Sequence, residues 1–155
     1  MKPKTILFDK EIVNQEEKLY TKEIENLILK HHENYEVINR KLRYKIEGKM
    51  NLETDVILAV KTINNVKRTI GIELKETDMS KAISQAIERR EYFHYFYVIL
   101  NLEVSTIVNG ILSDYNLYSA IKNYGIGLVS ASEKTMIIPS KFFNVYKLHG
   151  FLVIE

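Results

Sequence analysis

The chain has no cysteine among its 155 residues. Without thiols it has no disulfides, thiolate nucleophiles, iron–sulfur clusters or cysteine-based zinc sites. Only two prolines, Pro3 and Pro139, and six glycines occur. No linker-like stretch divides the sequence, so residues 1–155 read as a single domain. No apolar run approaches the roughly 18 residues that span a bilayer. Ile6-Leu7-Phe8 is far too short for the core of a signal peptide. A soluble, cytoplasmic protein with no membrane partner is expected. A surplus of one charge sign is missing as well, since 22 Lys and Arg stand against 20 Asp and Glu, a net charge of +2. That excludes a polycation coating nucleic acid by charge alone. Any nucleic-acid function depends on where the charges sit.

What is present is an ordinary globular composition, 46% hydrophobic and 27% charged. Residues 15 to about 32 have helical spacing, with Tyr20, Ile24, Leu27, Ile28 and His31 on one face, Asn14 as N-cap and Asn34 as a left-handed stop. A strand follows from 35 to about 45, then a turn at Gly48-Lys49-Met50-Asn51 and an apolar strand over 55–60. Asn64-Asn65 turns the chain into a strand over 69–75. Asp78 or Ser80 caps a second helix to about Phe93, whose inward side is Met79, Ala82, Ile83, Ala86 and Phe93. A buried strand over 95–101, a helix over about 114–123 and a strand over 125–130 complete the core. Met136-Ile137-Ile138 and residues 151–154 read as edge strand or packing segments. The order α-β-β-β-α-β-α-β predicts an α/β fold, a central mixed β-sheet flanked by helices.

Asp55, Glu73 and Lys75 are the most informative residues. A turn centred on Asn64 sets Asp55 opposite Glu73 in an antiparallel pair, and Glu73 and Lys75, two apart, share its face. Two carboxylates and an ammonium on one sheet face suit metal-assisted phosphodiester hydrolysis. Mg²⁺ takes one or two carboxylates and keeps several waters; it stabilises phosphate charge and helps ionise the attacking water. Lys75, held charged by two acids, orients water or stabilises the transition state rather than serving as a neutral base. The plainer alternative is cross-strand charge pairing on a half-solvated strand.

Thr54-Asp55 followed by Glu73-Leu74-Lys75, with the second helix starting just after, resembles the PD-(D/E)xK nuclease superfamily over about residues 15–130. Thr54 stands where the nominal proline would be. The resemblance implies a restriction-endonuclease-like three-layer fold, with an α-β-β-β-α-β core plus α-β. It also implies a Mg²⁺- or Mn²⁺-dependent deoxyribonuclease. Asp55, Glu73 and the Leu74 carbonyl would hold metal. An acid on the first helix would join them: Glu23, at the edge of the apolar stripe, with Glu17 as runner-up. Glu23-Ile24-Glu25 ahead of Asn34-Tyr35-Glu36-Val37 is similar to the opening of archaeal Holliday junction resolvases, which implies a junction- or branch-cleaving homodimer, its interface in the apolar tail from Phe142 to Ile154. On the second helix a glutamine supports the site in related nucleases, and Gln85 fits that role.

The DNA contacts expected are Arg40, Lys41, Arg43 and Lys49 on and after the first strand, and Lys81 and Arg89 on the second helix. Such contacts add affinity without sequence preference. A solvated, self-balanced helix face is the alternative for Lys81, Arg89 and Arg90. His31, His32, His94 and His149 have no zinc spacing. The aromatic run Tyr92 to Tyr97 reads as core before it reads as a base-stacking surface. Two other functions stay open, a non-catalytic DNA- or protein-binding module on the same fold and a restriction- or repair-type nuclease.

Overall fold

Val56-Ile57-Leu58-Ala59-Val60 is buried at every position, which requires apolar cover on both sides of the strand that carries it. The computed structural model describes residues 7–8, 10–33, 35–46 and 52–145 and supplies that cover. Its strands are β1 (Glu36–Lys45), β2 (Glu53–Lys61), β3 (Lys67–Lys75), β4 (Tyr95–Leu100), β5 (Gly127–Ser130) and β6 (Thr135–Ile138). They form one six-stranded mixed sheet in chain order. β1 to β3 are an antiparallel meander, β4 and β5 add in parallel, and β6 closes the far edge antiparallel.

Alternate side chains feed two cores. On one face Val56, Leu58, Ile70, Ile72, Leu74 and Ile99 pack with Ile24, Ile28 and Leu29 of α1 (Lys22–Lys30). On the other, Ile57, Ala59, Phe96, Val98 and Leu100 meet three helices, α2 (Met79–Arg89), α3 (Val104–Leu112) and α4 (Tyr115–Tyr124). The result is a mixed α/β fold with helices on both faces. Asp55 and Glu73 share parity with Ile57 and Gly71, so they belong to the α2 side. Among the described residues no helix is long and apolar enough to cross a membrane.

Gly71 is closely covered on the α2 side of the sheet. A Cβ there would lie 2.6 Å from the Phe96 ring and 2.8 Å from the Phe93 ring, both buried. Gly71→Ala is therefore expected to cost about 1–3 kcal/mol by overpacking, read as a lower midpoint in urea with unchanged slope.

Three features depart from the sequence pattern. The expected helix over 15–32 is broken: a 3₁₀ turn, Gln15–Leu19, ends at an extended Tyr20, and Thr21 caps α1 by accepting from the Ile24 amide at 3.3 Å. The break seats the Tyr20 hydroxyl on buried Glu25 at 2.8 Å, a contact a continuous helix would not form. His31 is exposed and His32 takes the inward place, sharing a 2.6 Å hydrogen bond with the Tyr97 hydroxyl.

The third departure is α3, which was not expected. Val104-Ser-Thr-Ile-Val-Asn-Gly-Ile-Leu112 is rich in β-branched residues and contains a glycine, all weak helix formers. Ile107 and Ile111 bury one of its faces, and the Glu133 carboxylate accepts from the Val104 amide at its start. Elsewhere Asn14, Asp78 and Asp114 cap as their positions suggest, and residues 135–138 are an edge strand. Asn34, the 48–51 turn and the 151–154 segment lie outside the described residues.

Candidate active site

The β2–β3 ladder runs from Lys61↔Lys67 to Val56↔Ile72. One further step sets Asp55 across from Glu73, as a turn centred on Asn64 requires. Asp55 Oδ2 accepts from the Leu74 amide at 2.8 Å, which locks the carboxylate against β3. Asp55, Glu73, Leu74 and Lys75 line a pocket of about 220 Å³, together with Asn14, Glu16, Glu53, Gln85 and Arg89. The expected Asp55–Glu73–Lys75 cluster is thus assembled, and Gln85 from α2 joins it. A larger groove of about 420 Å³ between α3, α4 and β6 is apolar, with only Lys122 and Lys141 as charged lining.

Burial dominates the electrostatics of the acid pair. Glu73 is 4% exposed. Burial first, then the Asp55 charge, pushes its carboxyl up to about 9 against the pull of Arg89 and Lys75. Burial also raises Asp55, against the Leu74 amide and a hydrogen bond from Glu73. One proton therefore sits between the two, carried by Glu73 and accepted by Asp55. Glu73 Oε1 is buried with no hydrogen-bond donor. Arg89 Nε lies 3.3 Å from it as a charge partner, but that N–H is spent on the Glu53 carbonyl at 2.9 Å.

The first-helix acid is not where the sequence placed it. Glu23 projects from α1 with its side chain 68% exposed and pairs with Lys134 at 2.8 Å. The reason is the layer: α1 packs on the sheet face opposite α2. Glu17 is buried but turned to Arg43. Glu16 instead reaches the pocket, with Oε2 4.0 Å from Lys75 Nζ. A wheel drawn with one helical period across 15–32 misplaces Glu17 and passes over Glu16, because a 3₁₀ turn rotates its side chains by a different step. Glu53 was also missed, although it lies two residues before Asp55 on the same strand face.

The expected DNA contacts divide. Lys41 and Lys81 are exposed, and Lys49 lies outside the described residues. Arg40 is held by buried Glu25 through Nε at 2.8 Å and Nη2 at 2.5 Å, and Arg43 is held by Glu17. Both guanidiniums are committed inside the fold, because a buried carboxylate demands a fixed partner. Arg89 is buried in the pocket wall, donating to the Gln85 and Glu53 carbonyls, and is not a solvated phosphate contact. Arg90, 2% exposed, is not on a solvated face either. It donates to the carbonyls of Tyr124, Phe93, His94 and Lys141.

Among the described residues no group of three or more His, Cys, Asp or Glu side chains forms a ready-made metal cage. The residues present nonetheless fit a hard divalent cation. Two adjoining carboxylates share a proton that a cation would replace, and one of their oxygens is buried without a donor. Mg²⁺ needs only one or two protein carboxylates beside its waters. Against models of known families, curated proteins and solved structures, the chain matches none.

Proposed function

We propose that this chain is a metal-dependent DNA endonuclease of the restriction-endonuclease-like fold, acting in the cytoplasm on junctions or other branched DNA as a homodimer. The observation that carries the reading is the Asp55–Glu73 pair on adjoining strands, with Lys75 two residues on and Gln85 closing the pocket from α2. The element order supports it: an antiparallel meander bearing the acids, then a helix, then a parallel strand.

Asp55, Glu73 and the Leu74 carbonyl would hold Mg²⁺ or Mn²⁺, which when bound polarises a phosphate oxygen and acidifies a coordinated water. Lys75 then orients the attacking water and stabilises charge on the phosphate. Glu16, which lines the pocket beside Lys75, would take the place expected of Glu23 as an acceptor for that water. Glu16, Glu53 and the Asp55–Glu73 pair make the pocket acidic, and a bound cation would reverse the local field that a phosphate meets. Lys41 and Lys81 supply exposed charge for the flanking backbone.

The test is incubation with supercoiled, linear, single-stranded and four-way-junction DNA in Mg²⁺, Mn²⁺ or EDTA. Cutting that requires the cation and is strongest on the junction is expected. Cutting in EDTA would overturn the proposed site, and metal-independent binding without cutting would assign the fold to a non-catalytic module.

A further inference from the structure

Arg43 lies within β1 with a φ of +51°, a left-handed conformation that is costly for a non-glycine residue. Such strain persists only where the surroundings over-determine it. Here they do. Arg43 Nη1 donates to both oxygens of Glu17, at 2.7 Å to Oε1. Glu17 is 3% exposed, and its Oε1 also accepts from the amides of Val13 at 2.8 Å and Asn14 at 3.3 Å. Asn14 Oδ1 returns the contact to the Glu17 amide at 3.2 Å.

A five-residue 3₁₀ turn has little stability of its own, so its place is set by what it is tied to. Its tie is to β1, where Leu42 pairs with Val56 and Tyr44 with Thr54; Arg43 therefore stands beside Asp55 in the ladder. The residues next to Glu17 in the same turn and its cap, Glu16 and Asn14, are the ones that line the pocket.

We infer that Arg43 and Glu17 are positioning residues, whose half-buried ion pair latches the Gln15–Leu19 turn so that Glu16 faces Asp55 and Lys75. This rests on the metal-dependent reading of the pocket. The latch works through Glu16 and does not touch the reacting atoms.

The test uses the full chain and its Arg43→Met, Arg43→Lys and Glu17→Gln variants. Amide hydrogen exchange over residues 13–19, Mn²⁺ binding by calorimetry and the Mn²⁺ dependence of cleavage are followed together. In Arg43→Met, exchange over 13–19 is expected to accelerate while β2 and β3 stay protected. The half-saturating Mn²⁺ concentration is expected to rise about tenfold, the scale of losing an outer partner of a metal ligand. The rate at saturating Mn²⁺ should fall as well, since Glu16 is displaced from the water it accepts from, and Arg43→Lys should recover part of both. If Arg43→Met does not fold, Glu17→Gln, of equal size and neutral, carries the same comparison. Unchanged exchange or unchanged Mn²⁺ affinity in the folded variant would overturn the latch alone. A wild type that binds no Mn²⁺ would overturn the reading beneath it.

Discussion

Lys75→Ala and Asp55→Ala are each expected to slow Mg²⁺-dependent cleavage of a four-way junction by about a thousandfold, the scale of removing a positioned charge or proton-transfer group. The two should differ in everything else. Among the described residues Lys75 has one ion-pair partner in the pocket, Glu16 at 4.0 Å, and a contact that long and partly solvated contributes little to stability. Lys75→Ala should therefore unfold at the wild-type midpoint and bind Mn²⁺ as well or better. Asp55→Ala strips the Leu74 amide of its acceptor, which costs about 1–3 kcal/mol, and removes a charge that opposes ionisation of Glu73. Its metal affinity should collapse along with its rate. Single-turnover cleavage on denaturing gels and calorimetric Mn²⁺ titration separate the two. A Lys75→Ala protein that cuts at the wild-type rate would remove Lys75 from the chemistry.

Glu73→Gln should abolish cleavage and yet stabilise the metal-free protein in alkaline solution. The Glu73 carboxyl titrates at about 9 in the fold against an ordinary 4.5. Between those values the folded chain holds a proton that the unfolded chain has released. Its contribution is complete below the unfolded value and is lost as pH rises toward the folded one. Glutamine mimics the protonated acid and has no such loss, so at pH 8.5 the variant should unfold at a higher urea concentration than wild type. His32 supplies an opposite slope at lower pH. Burial depresses its imidazole from 6.5 to about 4, so its stabilisation falls away as pH drops through that range. Subtracting the variant's urea curve from that of wild type at each pH cancels this term. Saturating Mg²⁺ should flatten the wild-type curve, since a cation held by the pair would displace the shared proton. A wild type and variant with parallel pH profiles in EDTA would mean that the buried pair holds no extra proton.

Much of this site was legible because a hairpin counts residues. Once Asn64-Asn65 turns the chain, the β2–β3 register follows and Asp55 must meet Glu73. The two-sided burial of residues 56–60 announced helices on both faces in the same way. The first-helix acid was illegible for a reason of the same kind. The apolar stripe of Tyr20, Ile24 and Ile28 continues smoothly through the break, and nothing in that stripe marks a change of pitch. Asn14-Gln15-Glu16-Glu17 does spell a capping box. The box fixes where the turn begins but not how soon it ends. α3 was hidden differently, since its residues favour strand and only the space beside α4 makes them helical. The fates of Arg40, Arg43, Arg89 and Arg90 depend on which acids and carbonyls the fold buries, which is information carried by no single segment.

Arg90 also bears on the order in which a newly synthesised chain acquires its site. Two of its four carbonyl partners, Phe93 and His94, follow within four residues. The other two belong to Tyr124 and Lys141. Until those have left the ribosome, the guanidinium can replace only part of the water it must shed. α2, which ends next to Arg90 and carries Gln85 and Arg89, cannot settle fully on the sheet before then. β1 to β3 are made first, but the pocket they outline is finished only when its last wall is pinned from more than fifty residues downstream.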